Sequence, residues 1–86
     1  MLWQIEFTKT AQKQVKELEN AVQLRIKKAI KEKLIVNPNI YLIPLSGDKA
    51  GQYKFRVGDY RLLCSKEDKK LVITVIKVKH RKEVYK

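Results

Sequence analysis

Apolar and polar residues alternate at the start of the chain. Trp3, Ile5 and Phe7 fall on one side of an extended segment, and Leu2, Gln4 and Glu6 on the other. That period of two predicts a strand with the aromatic set inward. The period then changes. Thr8 is placed to cap a helix, and Ala11, Val15 and Leu18 follow at helical spacing with Lys13, Lys16 and Glu17 turned outward. Asn20 reads as a break and cap. A second, longer helix carries Val22, Ile26, Ala29, Ile30 and Leu34 on one stripe, with Arg25, Lys27, Lys28 and Lys31 off it. Asn37-Pro38 stops that helix. From Ile40 to Asp48 the pattern predicts only loop or a short edge segment. Strands then follow at Gln52–Val57, Tyr60–Lys66 and Leu71–Lys79. Leu71 to Ile76 is a continuous, largely β-branched run, as expected of a central strand covered on both faces. The order β-α-α-β-β-β predicts a single α+β domain over residues 1–86, with two N-terminal helices packed on a mostly antiparallel, twisted sheet.

Gly58-Asp59 separates two of these strands by two residues, a type I′ or II′ hairpin signature. A two-residue turn fixes the register. Val57 then faces Tyr60, Arg56 faces Arg61, Phe55 faces Leu62 and Lys54 faces Leu63. Cross-strand partners share a face. Tyr53, Phe55, Val57, Tyr60, Leu62 and Cys64 therefore go to the core, and Lys54, Arg56, Arg61 and Leu63 to the other side. Two arginines directly opposite one another disfavour folding, which points to a face meant for phosphate rather than a merely solvated one. In the last strand Ile76 and Val78 are expected on one side, and Lys77 and Lys79 on the other, joined by Arg81 if the strand runs on regularly.

Composition sharpens this picture. Lys and Arg number 20 against 9 acids in 86 residues, a formal net charge of +11. Such a balance implies a polyanionic partner, with nucleic acid first. An acidic protein segment, or a plain lysine-rich surface, would fit the same charge. A chain of this length buries roughly 60% of its unfolded surface, so an open groove is expected rather than an enclosed pocket. The single cysteine, Cys64, allows no intramolecular disulfide and fits a reducing cytoplasm. No basic segment precedes an apolar one at the N-terminus, so no signal peptide is expected. No run approaches the roughly 20 apolar residues of a membrane span.

The residues exclude several chemistries. One His, one Cys and scattered acids offer no metal-ligand spacing, the three glycines form no phosphate loop, and Ser46 and Ser65 have no triad context. No cofactor is implied. Cleavage of RNA remains open, because the ribose 2′-OH can attack its own phosphate. The protein must then align that attack, take one proton, give another and stabilise the extra negative charge. Arg56 and Arg61 suit the charge. Crowding by cations favours the neutral form of a lysine amine, which makes Lys54 a candidate base. His80 is a candidate acid or base by its residue type, and equally a solvated tail histidine.

Two blocks carry a resemblance. Leu45-Ser-Gly-Asp-Lys-Ala-Gly-Gln-Tyr-Lys-Phe-Arg-Val-Gly-Asp-Tyr-Arg-Leu-Leu63 resembles the central signature of the RelE/ParE toxin superfamily. The ending Val75-Ile-Lys-Val-Lys-His-Arg-Lys-Glu-Val-Tyr85 is similar to that of its RelE-like nucleases rather than its ParE-like gyrase poisons. The RelE resemblance implies a type II toxin that cleaves mRNA in the ribosomal A site and is neutralised by a cognate antitoxin. It also implies catalytic roles. Lys54 would be the base or a charge-balancing lysine, Arg61 would stabilise the transition state, and Arg81 would act on the leaving group. Tyr85 would orient the nucleophile and stack on the substrate. Arg56, Lys77, Lys79 and His80 would contact RNA. Arg56 stands where relatives carry a second Lys or Arg, and it cannot serve as a base. Some members use an acidic base and a histidine, and no equivalent Glu is evident on the basic face. The rival readings are a ParE-like inhibitor of DNA gyrase, with no RNA cleavage, and an inactive nucleic-acid-binding module.

Overall fold

The computed structural model describes residues 2–81. Strand β1 (Gln4–Phe7) leads into helix α1 (Lys9–Lys16), and helix α2 (Asn20–Ala29) ends in a π turn at Ile30–Leu34. A short helix α3 (Pro38–Tyr41) precedes strand β2 (Ile43–Pro44) and a 3₁₀ turn at Gly47–Lys49. Strands β3 (Tyr53–Val57), β4 (Tyr60–Glu67) and β5 (Val72–His80) complete the sheet. Its order is β1-β5-β4-β3-β2. All neighbours are antiparallel except β1 and β5. This is the expected α+β architecture, with one additional strand. The segment Ile40–Asp48 supplies that strand as a two-residue edge.

The helices cover one face. Ala11, Ile26, Ile30 and Leu34 meet Phe55, Val57, Leu62, Cys64, Ile73, Val75 and Val78 in a single apolar cluster. Trp3, Ile5 and Phe7 pack against its edge, half-buried as befits an outer strand. Thr8 caps α1 as expected, its Oγ1 accepting from the Ala11 amide at 3.1 Å. Asn20 does not cap α2. Glu19 holds the cap position without a side-chain bond, and Asn20 is already helical. Gln23 closes the corner between the helices instead, donating to the Leu18 carbonyl at 2.8 Å.

The end of α2 is wound more loosely than the pattern predicts. The Ile35 amide bonds the Ile30 carbonyl, five residues back, and the Ile35 carbonyl accepts from the Trp3 amide at 2.9 Å. The wide turn thus ties the helix to the start of β1. Pro38 does more than stop α2: it opens α3 at a position where its missing N–H costs nothing.

Strand β5 departs from expectation in two ways. It is internal, yet only one of its faces is buried, since Val72, Thr74 and Ile76 remain partly exposed. Its alternation also breaks. Cys64 pairs with Val75, whereas Leu63 pairs with Lys77, so Ile76 is an extra residue in a β-bulge. Val75 and Val78 face the core, not Ile76 and Val78 as a regular alternation would have it.

Candidate nucleic-acid interface

The face opposite the helices is organised by register. The pairs read from the Gly58-Asp59 turn all form: Val57 with Tyr60, Arg56 with Arg61, Phe55 with Leu62, and Lys54 with Leu63. Gly58 has φ +58°, while Asp59 stays at negative φ, which selects type II′ of the two possible turns. Extending the pairs across the sheet gives two rows. One is Arg56, Arg61 and Lys79. The other is Ile43, Lys54, Leu63 and Lys77. Rows two residues apart lie about 7 Å from one another, and neighbours within a row about 5 Å apart. Cations thus cluster on a grid fixed by backbone hydrogen bonds.

The bulge at Ile76 is what brings β5 into this grid. Without it, the alternation of Ile73 and Val75 would carry Lys77 inward and Val78 outward. The extra residue reverses the phase, as bulges beside functional sites do. Three bonds secure it. The Thr8 amide donates to the Val75 carbonyl at 3.0 Å, and Thr8 Oγ1 donates to the Ile76 carbonyl at 2.7 Å. Gln14 Oε1 accepts from the Val78 amide at 2.7 Å. Sequence reasoning placed Lys77 and Lys79 on the correct face but missed the bulge and Gln14. The signal available was the spacing of three between Val75 and Val78, hidden in a continuously apolar run.

At the hairpin end the strands converge. The Arg81 amide bonds the Asp59 carbonyl at 2.7 Å, fastening the end of β5 to the turn. Arg56, Arg61 and Arg81, with Gly58 and Asp59, line an open cleft of about 130 Å³. Asp59, read from the sequence only as a turn residue, also lines this cleft. Lys54 stands one row away, half-buried, between Ile43 and Leu63. His80 pairs with Tyr60 and so takes the helix side of the sheet, its ring edge-on to that of Tyr60 at 4.9 Å. Tyr85 lies outside the described residues.

Cys64 is embedded in the core beneath this face, and burial pushes its thiol up to about 12. It is a packing residue, not a nucleophile.

A family model describing the ParE toxin of the type II toxin–antitoxin system parDE matches residues 5–85. The chain belongs to the RelE/ParE toxin superfamily. The toxin is similar to a chain of the RelBE2 toxin–antitoxin complex of Mycobacterium tuberculosis, at 26% identity over 94% of this chain and 100% of that one, with a TM-score of 0.88. It is similar to the isolated RelE toxin of E. coli at 31% identity, over 96% of this chain and 90% of that one, with a TM-score of 0.76. The YoeB/ParE toxin of Agrobacterium tumefaciens shares the fold at 15% identity, covering 90% of this chain and 96% of that one, with a TM-score of 0.69. No curated protein sequence matches the toxin.

Proposed function

We propose that this toxin is a ribosome-dependent endoribonuclease that cuts mRNA in the A site without a metal ion. The observation that carries the reading is the convergence of Arg56, Arg61 and Arg81 on one cleft of the open sheet face. The 31% identity to the RelE toxin supports it. In the reaction the ribose 2′-OH loses its proton and its oxygen attacks the adjoining phosphorus. The 5′-oxygen of the next nucleotide leaves and takes up a proton. The products are a 2′,3′-cyclic phosphate and a 5′-hydroxyl. Lys54 accepts the first proton or balances charge beside the base. Arg61 stabilises the charge that builds on the phosphate, a role in which preorganised donors contribute most. Arg81 acts at the leaving oxygen, and Tyr85 orients the nucleophile. Arg56, Lys77 and Lys79 hold the backbone, whereas His80, expected from the sequence to contact RNA, is turned to the helix side against Tyr60 and lies off this surface. The toxin works in the cytoplasm, where its substrate is. Its neutralising partner is a cognate antitoxin, as for the relatives solved as RelBE2 and archaeal RelE–RelB complexes.

The match to a ParE model favours a second reading, inhibition of DNA gyrase without RNA cleavage. Programmed ribosomes separate the two. Wild-type toxin is expected to cut ribosome-bound mRNA in the A site, and Arg61→Ala, Arg81→Ala and Tyr85→Ala to lose that cutting while remaining folded by circular dichroism. Intact mRNA with wild type, together with gyrase-dependent DNA breaks, would establish the ParE-like reading instead.

A further inference from the structure

The hairpin tip is basic on two sides. Beyond the arginine cleft, Arg25, Lys28 and Lys33 from α2 and its π turn join Arg56 and Gly58 around a second, wider cleft of about 380 Å³. Glu32 is the one acid in its lining. Arg25 rests against the turn, its Nη1 being 3.3 Å from where a Cβ on Gly58 would stand. Among the described residues the side chains of Arg25, Lys28 and Arg56 form no hydrogen bond or ion pair, and the Lys33 ammonium stands over the Tyr41 ring, 5.9 Å from its centre. Four cations gathered this closely repel one another and cost stability unless an anion answers them.

The two clefts share a wall at Arg56 and Gly58. Strand β2 pairs with β3 only at Tyr53 and Lys54, which leaves Phe55–Val57 as a free sheet edge. Arg56 stands on that edge and lines both clefts, as does Gly58. We propose that an RNA strand leaving the arginine cleft turns over the free edge of β3, and that the α2 cleft holds its backbone phosphates away from the cutting site. The inference rests on the RNA reading above. An acidic protein segment would answer the same charge, but the shared Arg56 and Gly58 make the α2 cleft an extension of the substrate surface.

The test is the salt dependence of binding. Uncleavable 2′-O-methyl RNAs of about 4 and about 12 nucleotides span the range from one cleft to both. Their affinities are measured for wild type and for the triple variant Arg25→Gln, Lys28→Gln, Lys33→Gln, after matching circular dichroism and melting curves. Each phosphate contact on a single strand contributes about 0.7 to the slope of log affinity against log salt, so the variant's slope for the long strand should be shallower by about 2, with a roughly hundredfold weaker affinity at about 0.1 M salt. The short strand should bind both proteins alike. Equal losses on both strands, or no loss on either, overturn the strand path. So does a loss confined to programmed ribosomes or to a polyglutamate peptide, which would assign the cleft to folded RNA or to an acidic protein. The nuclease reading is judged separately. Wild type that cuts on ribosomes while the long-strand slope is unchanged refutes only the path; wild type that binds both strands and cuts nothing refutes only the nuclease.

Discussion

The two faces of the β3–β4–β5 ladder are made from alternate residues of the same strands, yet they obey opposite rules. On the helix side Phe55, Leu62, Cys64, Ile73 and Val75 are all but sealed from water. On the open side Arg56 stands opposite Arg61, and Lys79 continues the row. Like charges across a ladder are unfavourable, so the facing of Arg56 and Arg61 does not favour folding by itself and is held in place by the buried face. Stability and function are thereby divided by residue parity. A substitution at one position should disturb one property, and its neighbour the other.

The sharpest way to break that division is Leu62→Ala, one residue from Arg61. Emptying this fully buried site should cost about 2–5 kcal/mol, a large part of a small domain's stability, read as a lower urea midpoint. The protein that remains folded should still cut at the normal rate; a rate collapse in folded protein would show that the faces are not separable. Arg61→Ala makes the converse case. Cleavage should fall about 10²–10³-fold, while stability stays within about 0.5 kcal/mol. An Arg61→Ala protein that melts early would show that the open face also supports the fold.

A smaller effect sharpens the comparison at the seam between the faces. Gln14 lies in α1 but bonds the Val78 amide beside the bulge. Gln14→Leu should cost about 1–3 kcal/mol by leaving that amide unpaired, and should accelerate its hydrogen exchange more than that of Ile73. Uniform acceleration along β5 would mean that Gln14 only supports the fold in general. The mildest test uses pH. The Cys64 thiol is raised from 9.0 to about 12 by burial. Below 9.0 both folded and unfolded chains hold the proton, and the group's full contribution is present. Between 9.0 and about 12 the unfolded chain ionises first, so stability falls as pH rises. Cys64→Ala should lack that part of the fall; parallel stability curves for the two proteins would contradict the assigned burial.

Much of the molecule is legible in the sequence. The strand and helix periods, the Thr8 cap, the hairpin register and the pairing of Arg56 with Arg61 all follow from local pattern and one turn. Other features are not. Asn20 looked like a cap because its type favours one, but the corner is closed by Gln23 reaching back to Leu18. The run from Leu71 to Ile76 looked like a strand buried on both faces, because continuous β-branched sequence carries no phase.

What the sequence determined alone is therefore the alternation in β1, β3 and β4: which of their residues share a side, and that around the hairpin one side is apolar and the other cationic. Tertiary structure decided which side of β5 joins that alternation, and where the cations converge. The bulge at Ile76 exists through bonds from Thr8 and Gln14, 68 and 64 residues from their partners in the chain. Arg81 joins the arginine cleft where its amide is fastened to the Asp59 carbonyl. Period and turn chemistry act between near neighbours, whereas a bulge and a cleft are set by pairings whose partners are distant in the chain, and no local pattern encodes them.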